Sequence, residues 1–163
     1  MRKPVEDYVA ALGLESKVPA AERRRRVGEA LELVGLAHRA KDYPWHLSGG
    51  MQQRVQIARA LAMEPEVLLM DEPFGSVDAM TKAQLQDGLQ RVHQLTRTTV
   101  VFVTHDIEEA IFLADRVVIM SRNPGQINET VSVPFARPRA QELRVSSELQ
   151  DLRARLHDVL ARL

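Results

Sequence analysis

An α/β fold with a mostly parallel sheet is predicted by two features of this sequence. Three continuously apolar runs of strand length, Val67 to Met70, Val100 to Val103 and Val117 to Met120, read as strands buried on both faces. Between them lie segments whose apolar residues recur at helical spacing, and the order strand, helix, strand, helix, strand requires crossover helices.

Residues 4 to 14 carry scattered apolar side chains (Val5, Val9, Leu12, Leu14) and end near Gly13, a short helix or strand-like lead-in. From Ala20 to Val34, the positions Val27, Ala30, Leu31 and Val34 space an amphipathic helix between Pro19 and Gly35. Ser48 then stands as N-cap before Gly49, Gly50 and the strong helix former running from Met51 to Ala62, which Pro65 closes. The first strand ends in Asp71-Glu72-Pro73. After the loop Phe74-Gly75-Ser76-Val77-Asp78, Leu85, Leu89 and Val92 space the next helix, and the second strand leads to Thr104-His105-Asp106. A helix through Ile107, Ala110, Ile111 and Ala114 precedes the third strand, the turn Asn123-Pro124-Gly125 and an alternating segment from Ile127 to Val133. The tail from about Arg139 places Val145, Leu149, Leu152, Leu156, Val159 and Leu163 on one seam. It reads as a terminal helix packed on its own domain, with a partner-binding helix as the alternative.

With 163 residues, 45% of them hydrophobic, the chain can bury a sizeable core. Lys plus Arg equals Asp plus Glu at 22 each, so charge offers no footprint for nucleic acid. The run Arg23 to Arg26 is the one basic cluster and reads as a solvated helix face. Absence of cysteine excludes disulfides and thiolate metal sites. No apolar run approaches the ~18 residues of a membrane span, and the basic start Met1-Arg2-Lys3 is followed by Pro4, Glu6 and Asp7 rather than an apolar stretch.

The chemistry concentrates in three places. Ser48-Gly49-Gly50 at a helix start exposes backbone N–H groups and the positive end of the helix dipole, where a phosphate can approach if no Cβ holds it off. A capped helix in a tight turn would have the same sequence. Asp71 and Glu72 at the C-terminal end of a buried strand suit a magnesium held by one carboxylate and a water oriented by the other. His105, following its own strand, is expected at the same sheet edge, a donor suited to phosphoryl transfer.

The string from Leu47 to Asp78, with Thr104-His105-Asp106 downstream, resembles the second half of an ABC-transporter ATP-binding subunit. The wording of Asp71 to Gly75, Asp106 to Ala110 and Ser121 to Gly125 is similar to its nitrate, sulfonate and taurine importer branch. That resemblance implies ATP and Mg2+ as cofactors. It implies that Ser48, Gly49, Gly50 and Met51 form the signature facing ATP held by the opposite subunit. Asp71 is then the Walker B magnesium partner, Glu72 the general base, Asp78 part of the loop crossing the dimer interface, and His105 the switch residue at the γ-phosphate. Met51 departs from the family's glutamine and has no side-chain donor. Implied partners are a membrane permease and a second ATP-binding subunit, with a peripheral location on the cytoplasmic face of the plasma membrane. By the same resemblance, residues 1–63 are a helical subdomain including the signature helix, 64–135 part of the catalytic core, and 136–163 a C-terminal helix.

One part of the family's P-loop NTPase domain is missing from this sequence. The phosphate-binding loop needs two glycines five positions apart followed by Lys and Ser or Thr, and no two of the eight glycines are so placed. An incomplete domain is therefore expected, with no ATP hydrolysis by this chain alone. In the family's sheet the missing strand lies between the strands at Val100–Val103 and Val117–Met120. Its loss leaves unpaired backbone groups costing about 1–3 kcal/mol each where buried, so isolated folding is expected to be poor. The expectations are an importer's ATP-binding subunit for a small oxyanion or sulfonate, N-terminally truncated, or a catalytically inactive docking fragment that completes a partner's ATP site. Paired with a complete subunit, at most one of the two sites could turn over.

Overall fold

The computed structural model describes residues 3–11, 14, 18–75 and 77–163. Met1, Arg2, Leu12, Gly13 and Ser76, named above, lie outside the described residues. The chain divides into two compact units, residues 1–101 and 102–163.

In the first unit the lead-in is helical, α1 (Val5–Ala10), followed by α2 (Ala20–Leu33), α3 (Gly49–Leu61), strand β1 (Val67–Asp71) and α4 (Ala79–Thr96). Strand β2 (Thr99–Val103) is the hydrogen-bonded neighbour of β1, so strand, crossover helix and strand appear as expected; the division between the units falls within β2. The core is built from one face of each helix: Val5 and Val9 of α1, Val27 and Leu31 of α2, Val55, Ala58 and Leu61 of α3, and Leu85 and Leu89 of α4 are all buried.

Two arginines of the basic run have local partners. Arg25 pairs with Glu22 at 2.5 Å, Glu29 at 2.7 Å and Glu64 at 3.3 Å, and Arg26 with Glu22 at 2.8 Å and Glu64 at 3.1 Å. The hydrogen bonds from Arg25 and Arg26 hold the Glu22 carboxyl down at about 2.

The strands depart from expectation. A continuous apolar run predicts burial on both faces, but β1 buries only Leu68 and Met70, leaving Val67 57% and Leu69 70% exposed. Strand side chains alternate across the pleat, and the described residues supply packing for one face only. Val101 and Val103 of β2 are exposed too. Position 69 is therefore energetically unlike position 68. Leu68→Ala is expected to cost about 2–5 kcal/mol, whereas Leu69→Thr should change stability by no more than ~0.5 kcal/mol and reduce self-association. Urea unfolding and light scattering on the two variants check both halves of that contrast.

The second unit contains α5 (Ile107–Leu113), β3 (Arg116–Met120), β4 (Ile127–Ser132) and α6 (Ser147–Ala161). Strands β3 and β4 pair antiparallel, with Val117 opposite Val131 and a bulge between Ile119 and Met120. Among the described residues β3 and β4 form a two-stranded sheet of their own. Ile111, Ile119, Val131, Val133, Leu149 and Leu156 form the core, which places the terminal helix against its own unit. That helix starts later than the seam suggested: a short 3-10 turn occupies Gln141–Val145, Ser146 caps α6, and Val145 is 84% exposed. The Ser146 hydroxyl accepts from Leu149 N–H at 3.2 Å, and this cap sets the start.

Between the two elements Arg139 is buried, 3% exposed, its guanidinium turned onto the end of α5. It donates to the carbonyls of Ile111 (3.0 Å), Phe112 (3.1 Å), Ala114 (2.8 Å) and Phe135 (3.1 and 3.2 Å). These include the carbonyls a helix end leaves without intrahelical partners. Burial, with the nearby Arg137 charge, lowers its pKa to about 10. Among the described residues no helix is long and apolar enough to cross a membrane.

Candidate functional site

The head of α3 is built as its sequence suggests. Ser48 holds an extended backbone (φ −63°, ψ 161°), and its hydroxyl accepts from Met51 N–H at 3.3 Å. The first intrahelical bond runs from Gln52 N–H to Ser48 C=O at 2.9 Å, so the Gly49 and Gly50 N–H groups precede it at the positive end of the helix. The Met51 N–H is occupied by the cap, which leaves the two glycines as the amides best placed for an anion. Gln52 also fixes the approach to the helix. Its amide donates to the carbonyls of Pro44 and Leu47, each at 3.1 Å, and ahead of Leu47 the Tyr43 and Trp45 rings stack at 4.7 Å. Sequence reasoning overlooked this clamp, although an amide side chain in the first turn of a helix was the visible cue.

The two glycines have different jobs. A Cβ on Gly49 would meet nothing within 4 Å, in keeping with an open anion approach. Gly50 is buried, and a Cβ there would lie 2.3 Å from Thr81 Cγ2 on α4. Its small size serves helix packing against Thr81, a demand that the motif alone does not reveal. Gly50→Ala should therefore destabilise the first unit by about 1–3 kcal/mol, and Thr81→Ser, which removes the obstructing methyl, should restore most of it. Thermal unfolding of the two single variants and the double variant measures that coupling.

Thr81 also links this contact to Asp78. Asp78 caps α4, accepting from Thr81 N–H at 3.0 Å, and its carboxyl is held below the usual range by the Thr81 side chain first and backbone donors second. A depressed carboxyl stabilises the fold above its ordinary pKa, and that contribution disappears as pH falls through the folded value.

Asp71 is the last residue of β1 and is exposed; Glu72 follows, exposed, with φ 42° in the left-handed region that non-glycine residues rarely occupy. The Gly75 N–H donates to Glu72 C=O at 3.2 Å and closes the turn. Among the described residues no three His, Asp or Glu side chains gather into a metal cage. A lone exposed carboxylate such as Asp71 suits Mg2+, which keeps waters and takes further oxygens from a phosphate ligand.

His105 belongs to the second unit, exposed between β2 and α5. Asp106 caps α5, its carboxylate accepting Glu109 N–H at 3.1 Å.

Comparison with known proteins agrees with these features. Residues 3–75 match the ABC transporter family. The chain is 53% identical over 123 residues to the nitrate import ATP-binding protein NrtD of Synechococcus elongatus, covering 75% of this chain and 45% of that protein. It is 52% identical over 128 residues to the taurine import ATP-binding protein TauB of Chromobacterium violaceum, covering 78% and 49%. CbiO1 from Clostridium perfringens, part of the ABC transporter complex CbiONQ, superposes with a TM-score of 0.75 at 28% identity, covering all of this chain and 62% of that one. The chain spans about half the length of the curated relatives it matches. It belongs to the ABC transporter ATP-binding family, in the branch of the nitrate and taurine importers.

Proposed function

We propose that the chain supplies the signature half of an importer's ATP-binding subunit, in which ATP hydrolysis drives uptake of a small oxyanion or sulfonate. The observation carrying this reading is the head of α3, where Ser48 caps the helix and a Cβ on Gly49 would meet nothing within 4 Å. Gly49 and Gly50 would donate to the terminal phosphate of ATP held by an opposing subunit. Asp71 would hold Mg2+, whose charge stabilises the transferring phosphoryl group, and Glu72 would orient and deprotonate the attacking water. His105 would donate to the γ-phosphate, and Asp78 would lie at the subunit interface.

A phosphate-binding loop is absent from this sequence and has to come from polypeptide outside these residues. The apolar exposed face of β1 supports this reading, since Val67 and Leu69 have the character of covered residues. A membrane permease and a second ATP-binding subunit are the partners, and attachment to the cytoplasmic face of the membrane is peripheral, through the permease. The second reading, an inactive docking fragment, is favoured by the missing loop alone. Nucleotide binding and ATPase assays separate the two. On the first reading the purified chain hydrolyses nothing, and a polypeptide carrying the phosphate loop restores Mg2+-dependent turnover. Restored nucleotide binding without turnover would leave only the docking reading.

A further inference from the structure

Glu109 is a carboxyl 3% exposed in the second unit, and no step assigned above uses it. Its Oε2 accepts the Thr104 hydroxyl at 2.5 Å, that hydroxyl accepts Asp106 N–H at 3.0 Å, and Asp106 Oδ1 accepts Glu109 N–H at 3.1 Å. These bonds close a ring through the backbone of 104–106, and His105 is the residue inside it. In an ordinary capping box the acid three positions into the helix reaches back to the N-cap amide directly. Here the Thr104 hydroxyl stands between them, so the residue on each side of His105 is tied to one buried carboxyl.

The far side of the ring is fixed as well. Glu109 sits in α5, whose Ile111 is wholly buried in the core of the second unit and whose end is held by the Arg139 guanidinium. On the outer turn of the same helix Glu108 pairs with Arg144 at 2.8 Å, and that guanidinium lies 3.8 Å from the Phe112 ring centre. Ring and helix together leave the backbone at His105 little freedom while its imidazole stays at the surface.

We infer that Glu109 is a positioning residue for His105, acting through the Thr104 hydroxyl to hold in one conformation the backbone from which the imidazole projects. Its value for catalysis rests on the proposed role of His105 at the γ-phosphate, where misplacement by about 1 Å costs up to ~100-fold in rate. The positional effect itself requires no nucleotide.

The test is NMR of the imidazole signal of His105 in the full chain, with Thr104→Val, Glu109→Ala and Glu109→Gln, and with the methyl signals of Ile119, Val131 and Leu149 as a report on the core. Thr104→Val and Glu109→Ala should each shift and broaden or double the His105 signal while the core methyls stay in place. Glu109→Gln keeps an oxygen acceptor and should retain a single sharp signal. An unchanged His105 signal in Thr104→Val overturns the inference. So does a change that appears only together with loss of the core methyl signals, which would make Glu109 a fold element alone. Should Glu109→Ala fail to fold, the smaller change Thr104→Val decides. Because nothing is hydrolysed in this measurement, its failure is separate from failure of the ATPase reading.

Discussion

In an assembly completed by a phosphate-loop polypeptide, Glu72→Gln is expected to lower kcat by about 100-fold or more while nucleotide affinity and KM change little. The glutamine keeps the side chain's size and one oxygen but cannot take a proton, so it removes a transition-state role rather than binding. Two features of the turn place the carboxylate: β1 ends at Asp71, and Glu72 adopts φ 42°, a conformation costing about 1–2 kcal/mol for a residue with a Cβ. The opposite result is expected in a mixed dimer with one complete subunit. On the proposed reading the chain would there contribute Ser48, Gly49 and Gly50 to the partner's nucleotide, its own acid pair would face no phosphate cradle, and Glu72→Gln should leave the rate unaltered. Steady-state hydrolysis in the two assemblies distinguishes them, and a halved rate in the mixed dimer would contradict the proposed division of labour.

Arg139→Met should destabilise the second unit by about 3–5 kcal/mol. The lowered pKa shows that burial disfavours the charge, so the loss does not come from removing an ion that the protein prefers. It comes from the carbonyls of Ile111, Phe112, Ala114 and Phe135, which lose their donor together. Lysine keeps the charge but offers a point donor in place of a planar fork and should recover only part of the loss. Hydrogen exchange locates the effect: protection of α5 amides should fall in Arg139→Met, while amides of α3 retain theirs. Equal loss across α3 and α5 would show that the two units unfold together.

Periodicity made the helices legible. The spacing of Val27, Ala30 and Leu31 in α2, and of Leu85, Leu89 and Val92 in α4, corresponds to buried faces, and Ser48 marked the start of α3 because capping is a local interaction. The strand positions were legible as well, but their burial was not. An apolar run reports what a strand is suited to pack against, whereas exposure depends on what is present, and Val67 and Leu69 show the difference. The candidate residues were found by motif, and the geometry added what motifs leave out. Gly50 reads in the motif as a ligand-facing glycine, and the motif does not show that Thr81, 31 positions later, packs against it. Glu109 could have been noticed, since Asp106 followed three residues later by an acid is the pattern of a capping box, but the interposed Thr104 hydroxyl is a matter of tertiary structure. Arg139 was equally silent, because three of its four carbonyl partners, Ile111, Phe112 and Ala114, lie in and just after a helix more than twenty residues upstream.

The uncovered faces of β1 and β2 have a consequence for the life of the chain in a cell. Apolar strand surface of this kind is what holdase chaperones retain and quality-control proteases recognise, so if these strand faces are covered by further polypeptide, covered copies are expected to outlast uncovered ones. Steady-state abundance would then follow the supply of the covering polypeptide rather than the chain's own rate of synthesis, and overproduction alone would fill inclusion bodies.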